Sequence, residues 1–244
     1  MSASGQVKRF ARQFAALPGR AWRFVSDPAY RSVVALALRR PGNLFQPYGT
    51  TGEDRYPVVF AAARSALAGS APLRLLSFGC ATGEEVATLS RYFPGAFVKG
   101  LDINPRSIAA CRARFAGVAD CAFAVADTAA GEPAGTYDAV FCMAVLRHGD
   151  LAGANAQRCD HLIRFADFER TVADFARCLK VGGLLALRHS NFRFADTAAA
   201  ASFELLLEAP RLASPASVGT PQYGPDNRRL PDAPLEGVLF RKRA

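Results

Sequence analysis

The stretch that most constrains this chain runs from Leu73 to Glu85, where the sequence reads LRLLSFGCATGEE and passes directly into VATLSRYF. A short apolar run with no polar alternation is the pattern of a strand covered on both faces, as in a parallel sheet flanked by helices. Helical periodicity follows at once, so strand and helix share a tight turn. Gly79 and Gly83 in that turn lack a Cβ and let the backbone approach a ligand. The helix start offers unpaired N–H groups and a partial positive charge, suited to a ligand carboxylate.

The same rhythm continues. Glu84–Phe93 is helical and stops at Pro94-Gly95; AFVKGLDI is a second strand; Pro105–Phe115 is a helix with proline in its first turn. CAFAVAD and YDAVFCMAV supply strands three and four, and Phe168–Leu179 is a helix closed by Gly182-Gly183. LLALRH is strand five, Ala195–Leu207 an alanine-rich helix, Pro210–Pro234 a loop, and Gly237–Lys242 a final strand. Strand–helix alternation at this spacing predicts an α/β fold, a doubly wound parallel sheet with helices on both faces.

Two acids stand in register with the glycine turn. Asp102 ends strand two and Asp127 ends strand three. Open sheets bind ligands outside the carboxyl ends of their strands, and an acid after strand two is placed to accept hydrogen bonds from ribose hydroxyls. Ile103 offers an apolar face to an adenine ring, and Asp127 can accept from its exocyclic amine. The conjunction predicts a site for an adenosine-type ligand.

The N-terminal part has a different character. Val7, Phe10, Phe14 and Leu17 share a helical face ended by Pro18-Gly19, and a second helix runs from Pro28 to Leu38 with Asp27 as N-cap. Residues 1–40 hold eight basic side chains, including Lys8, Arg12, Arg23 and Arg40, against Asp27 alone. Such an arm suits nucleic acid, anionic lipid or an acidic partner, or serves as a solvated helix face; a transit peptide is a further reading. Residues 41–57 form a turn-rich loop before a helix near Val58–Ala68. The expected organisation is a basic helical extension with a candidate lid over 1–57 and an α/β domain over 58–244.

Composition sets the remaining bounds. No apolar run approaches the roughly 18 residues that span a bilayer, the longest being Ser32–Leu38 and Val181–Leu187. The six cysteines form no Cys-x-x-Cys pair, so we expect buried thiols, no metal and a reducing, cytoplasmic compartment. No secretory signal is expected. Gly-x-Gly-x-x-Gly is absent, with Ala81 at the second glycine position and two glutamates opening the helix, which disfavours a diphosphate.

The segments LLSFGCATGEEVATL, GLDINPRSIAACR, AVADT, YDAVFCMAVLRH and LKVGGLLALRHSNF resemble the class I S-adenosylmethionine-dependent methyltransferases over about Leu73–Phe192. The glycine loop is similar to that of the chemotaxis-receptor carboxyl methyltransferases, whose N-terminal helical domain is not matched here. The resemblance implies a Rossmann-like, seven-stranded, mostly parallel sheet and S-adenosyl-L-methionine as cofactor. It also implies a set of contacts: Phe78, Gly79, Cys80, Ala81, Thr82, Gly83 and Glu84 at the methionine end, and Asp102 at the ribose. Ile103, Asp127 and Thr128 would meet adenine, and Cys142 and Met143 the sulfonium.

On the acceptor side, His148 beyond strand four and His189 ending strand five are the candidate general bases, with His161 less well placed. Strand four lacks the Asn/Asp-Pro-Pro-Tyr/Phe signature of enzymes that methylate planar amino groups. The loop Gln46–Pro57 is the candidate lid. The expected function is methyl transfer to a small molecule or protein carboxyl, hydroxyl or amine. The alternative is a basic RNA- or membrane-surface-binding protein whose cofactor site is secondary or idle.

Overall fold

The computed structural model describes residues 18–39, 41–47, 49, 51–69, 72–154, 156–210, 220–231 and 235–243. The chain divides into two compact units, Met1–Arg40 and Pro41–Ala244. The division thus falls after Arg40, and the loop before the first sheet helix belongs to the larger unit. The helix expected over Val7–Leu17 lies outside the described residues.

Two helices make up the described part of the first unit, α1 (Pro18–Ser26) and α2 (Pro28–Arg39). Pro18-Gly19 opens α1, since proline is tolerated where the first N–H groups have no partner. Asp27 caps α2 as expected, its Oδ1 accepting from the amides of Ala29 and Tyr30 at 2.9 and 3.1 Å.

The second unit is a seven-stranded sheet in the order β3-β2-β1-β4-β5-β7-β6. Its strands are β1 (Arg74–Phe78), β2 (Phe97–Asp102), β3 (Cys121–Val125), β4 (Tyr137–Met143), β5 (Leu179–Arg188), β6 (Phe203–Pro210) and β7 (Leu235–Lys242). The first five are mutually parallel; β7 runs antiparallel to both β5 and β6. Helices α3 (Pro57–Ala66), α4 (Glu84–Tyr92), α5 (Pro105–Arg114), α6 (Leu151–Ala154) and α7 (Phe165–Cys178) complete it.

Successive residues of a strand face opposite sides, and the sheet uses this to build two cores. Leu75, Ala139, Phe141 and Leu184 pack with Val59, Phe60, Val86, Leu89 and Ile108 from α3, α4 and α5. Leu76, Val140, Cys142 and Leu185 pack with Phe168, Val172 and Phe175 of α7. Both faces are therefore dry, and the carboxyl edge of the sheet is where polar side chains gather.

Two elements differ from the sequence expectation. The stretch expected as a helix over Ala195–Leu207 forms 3₁₀ turns at Phe194–Asp196 and Ala198–Ser202, then strand β6. Pairing of Phe203–Pro210 with β7 outweighs alanine's helix preference, which is worth only tenths of a kcal/mol per residue. Gly182-Gly183 does not close α7. That helix passes into β5 at Leu179, and the glycines lie inside the strand, Gly182 at φ +81°. A Cβ on Gly183 would stand 2.9 Å from the Lys180 carbonyl.

Candidate functional site

The turn after β1 is fixed from β2. The amides of Gly79 and Cys80 both donate to the Leu101 carbonyl, at 2.7 and 3.0 Å. The Ala81 amide donates to Asp102 Oδ2 at 2.9 Å, and the Asn104 amide to Asp102 Oδ1 at 2.8 Å. Asp102 thus holds the glycine turn and the start of the next helix together while its carboxylate stays partly exposed. Burial raises its pKa, opposed by the two amide hydrogen bonds.

The glycines are required for a reason the sequence did not display. Gly79 sits at φ +77°, and a Cβ there would stand 2.3 Å from Val145 Cγ2. Gly83 sits at φ +94°, and its Cβ would meet Phe115 at 2.8 Å and the Cys111 thiol at 3.3 Å. The space these glycines leave is filled by the β4 loop and by α5, so their first role is close packing of the turn. Non-glycine residues also enter the left-handed region at this edge: Ala81 after β1, Ala144 after β4 and His189 after β5, at φ +46°, +61° and +53°. Each costs roughly 1–2 kcal/mol and persists because the surroundings dictate it, a pattern that clusters at functional sites.

The two glutamates opening α4 separate. Glu84 turns outward, accepting from Thr82 Oγ1 at 2.8 Å and pairing with Arg114 at 3.2 Å, in a network that Glu53 joins. Glu85 turns inward, accepting from the buried Ser77 hydroxyl at 2.7 Å. Of the two, Glu85 is the one that points toward the sheet. Its neighbours one turn on, Thr88 and Leu89, are buried, a helical spacing that marks the inward face. Burial pushes Glu85 up to about 7, opposed by the Ser77 hydrogen bond and the charge of Arg55. Gly83, the N-cap of α4, provides no side-chain cap to the first-turn amides.

The other expected positions fall as follows. Ile103 and Asp127 are half-buried beyond β2 and β3, whose ends are tied by the Ala126 amide donating to the Asp102 carbonyl at 3.0 Å. Thr128 Oγ1 accepts from the Ala130 amide at 3.1 Å. Phe78 and Cys80 are core side chains, Phe78 edge-on to Phe175 at 4.9 Å. Cys142 and Met143 belong to opposite cores, as strand neighbours must, so the two side chains do not share one surface. All six cysteines are free thiols, and no cluster suited to a metal occurs among the described residues.

Beyond β4 and β5 the histidines diverge. Asn191, fully buried, knots this region: its Oδ1 accepts from the His148 amide at 2.7 Å, and its Nδ2 donates to the Pro221 carbonyl at 2.7 Å. The His148 Nδ1 accepts from the Asp150 amide at 3.3 Å, which places the ring proton on Nε2, and burial lowers its pKa. His161 is exposed. His189 lies 5.7 Å, ring to ring, from Tyr56, with its Nδ1 3.9 Å from Glu236. Glu236 pairs at 3.0 Å with the buried Arg188.

The candidate lid is fastened to the domain. The Asp54 amide donates to Thr88 Oγ1 at 3.0 Å, Tyr92 donates to Asp54 at 3.0 Å, and Arg91 and Arg114 hold Glu53 at 2.7 and 2.6 Å. Tyr48 and Thr50 lie outside the described residues.

Residues 76–187 match the family model described as a methyltransferase domain. Among curated proteins the chain is similar to a probable biofilm formation methyltransferase, WspC, of Pseudomonas putida, at 46% identity over 69 residues, 22% of this chain and 16% of that protein. It is also similar to a trans-aconitate 2-methyltransferase of Methylobacterium nodulans, at 37% identity over 78 residues, 32% of this chain and 29% of that protein. The chain thus covers less than a third of the length of these relatives. Among solved structures it is similar to a Haemonchus contortus phosphoethanolamine N-methyltransferase 2 in complex with S-adenosyl-L-methionine. There the identity is 18% and the TM-score 0.43, over 67% of this chain and 34% of the other.

The matched residues span the sheet from β1 to β5, and the family they match uses S-adenosyl-L-methionine. The chemistry of the residues present is compatible with that cofactor: the first amides of α4 have no side-chain cap, and the carboxyl groups of Glu85, Asp102 and Asp127 stand near the carboxyl ends of β1, β2 and β3.

Proposed function

We propose that this chain is a working S-adenosylmethionine-dependent methyltransferase that transfers a methyl group in line to a carboxyl, hydroxyl or amine of a small molecule or protein side chain. The observation that carries this reading is the convergence at the carboxyl edge of β1, β2, β4 and β5. There Asp102 grips the Ala81 amide, Glu85 points inward, and three strand ends are held in left-handed backbone.

The bound cofactor supplies a methyl group already activated on a sulfonium. What the chain then has to do is position. Gly79, Ala81, Thr82 and Gly83 present backbone at the amino-acid end, Asp102 accepts from the sugar hydroxyls, Ile103 packs on the base, and Asp127 with Thr128 accepts at its edge. Glu85 takes the place given to Glu84 in the expected set, and Met143 rather than Cys142 stands at the open end of β4. Well-oriented approach of two reactants is worth several kcal/mol. His148 has its Nδ1 occupied by an amide, so it orients through Nε2–H; His189 is the better candidate where an acceptor must lose a proton.

A carboxyl acceptor needs no base. That suits the similarity of the glycine loop to the chemotaxis-receptor carboxyl methyltransferases, and one relative is named for methylating an acid, trans-aconitate. The test is a labelled-methyl screen of the full chain over pools of small acids, small alcohols and amines, peptides and RNA, followed by product mass. Methylated product from the acid, alcohol, amine or peptide pools supports the reading. Absence of both turnover and S-adenosylmethionine binding overturns it.

A further inference from the structure

The region between the loop before α3 and the ends of β4 and β5 holds polar groups that the cofactor contacts do not use. Tyr56, the residue before α3, has its hydroxyl buried with no hydrogen-bond partner, and so does the Nε of Arg147 in the segment after β4. Arg55 lies over the Tyr56 ring at 5.4 Å, and the His189 ring stands 5.7 Å from it, tilted by 51°. Behind them stands the buried Arg188–Glu236 pair at 3.0 Å.

The charges do not cancel. Glu236 is matched by Arg188, and Glu85, hydrogen-bonded to Ser77, is held partly protonated near neutral pH by its burial. Among the described residues the guanidinium of Arg147 has no carboxylate in ion-pair contact, and burial works against its charge while Tyr56 and Glu236 act to retain it. Burial pushes the Tyr56 phenol up, so it remains a donor, and Arg55, Arg188 and Arg147 all act on it. A buried phenol and a buried guanidinium Nε–H, both unpaired, cost free energy unless a ligand supplies an acceptor.

We propose that this edge is the acceptor subsite and that it recognises a carboxylate on the methyl-accepting substrate, Arg147 holding it with its Nε edge while the Tyr56 hydroxyl and Arg55 complete the pocket. The proposal rests on the methyltransferase reading above and names the substrate class for that site. A planar guanidinium edge matches a planar carboxylate in two parallel hydrogen bonds, a geometry that lysine cannot supply. A phosphate fits less well, because Glu85 acts on Tyr56 and Glu236 on Arg147, and a dianion adds more negative charge to both than a carboxylate does. None of these residues is assigned to the cofactor.

The experiment uses the full chain and simple probes. Succinate, the neutral succinamide and inorganic phosphate are titrated by calorimetry, with and without saturating S-adenosylhomocysteine. The expected result is binding of succinate, none of succinamide, and phosphate weaker than succinate. Arg147→Met is expected to weaken succinate by about tenfold or more, the range for a lost charge-assisted hydrogen bond, while S-adenosylhomocysteine binds within about twofold of wild type on the same scale of affinities. Tyr56→Phe, which removes only an oxygen, is expected to weaken succinate several-fold and keeps the test open if Arg147→Met does not fold. Equal response to succinate and succinamide, or unchanged succinate binding in both variants, overturns the proposal. Phosphate binding tighter than succinate overturns the carboxylate assignment. Failure of S-adenosylhomocysteine to bind sinks the parent reading alone, since the succinate arm is read without it.

Discussion

Replacing Gly79 by alanine tests the packing of the cofactor turn. The added Cβ would lie 2.3 Å from Val145 Cγ2, 3.0 Å from Cγ1 and 3.3 Å from Cβ, in a backbone at φ +77°. The left-handed conformation costs a non-glycine residue about 1 kcal/mol, and overpacking against a β-branched side chain with few alternative rotamers costs about 1–3 kcal/mol. A loss of about 2–4 kcal/mol is expected, lowering Tm by about 4–16 °C for a domain of this size. The two contributions separate in a double-mutant cycle. Val145→Ala removes both methyl groups and leaves only the contact at 3.3 Å, so adding it to Gly79→Ala relieves the overlap but not the backbone strain. The coupling should be about 1–3 kcal/mol. Urea unfolding followed by far-UV circular dichroism, which reports on the sheet directly, is the suitable assay. Additive effects of the two substitutions would refute the claim that Val145 dictates the glycine.

Further outcomes follow from the same geometry. Glu85 has a folded pKa of about 7 against an ordinary value of 4.5, so the folded state binds the extra proton and stability falls as pH rises from about 4.5 to 7. Besides burial, Ser77 and Arg55 act on it, and it acts in turn on Tyr56, Cys80 and Cys142; the size is at most about 3 kcal/mol, Glu85→Gln should flatten that slope in pH-dependent urea unfolding, and an unchanged slope would contradict it. Asn191→Ala strands the His148 amide and the Pro221 carbonyl and should cost about 2–4 kcal/mol of stability, measured by denaturant midpoint. His148→Gln should leave the pH profile of methyl transfer intact, whereas His189→Gln should remove its lower limb for a hydroxyl or amine acceptor; the reverse pattern would reassign the base.

Much of the sheet could be read from the chain because its signals are local. Each of the first five strands carries a local apolar stretch, and Asp102 ends β2 while Asp127 stands two residues beyond β3. Strand β6 was not legible, since an alanine-rich lead and three leucines in a row resemble a helix until pairing with β7 is known. The reason for Gly79 was hidden for a similar cause: Val145 reaches it only once β4 is laid beside β1. Arg147 and Tyr56 come from segments far apart in sequence, and their unpaired atoms have meaning only in three dimensions. Glu85 was within reach, because its helical spacing to Leu89 already placed it on the inward face while Glu84 pointed away.

The most direct measurement is calorimetric titration of S-adenosylmethionine into the full chain and into Asp102→Ala. We expect saturable one-to-one binding to the native chain, weakened by at least about tenfold in the variant, as for lost hydrogen bonds to a charged group, with its circular dichroism unchanged. Heat of dilution alone from the native chain, or equal affinity in both proteins, would contradict the site built on the β1 turn and Asp102.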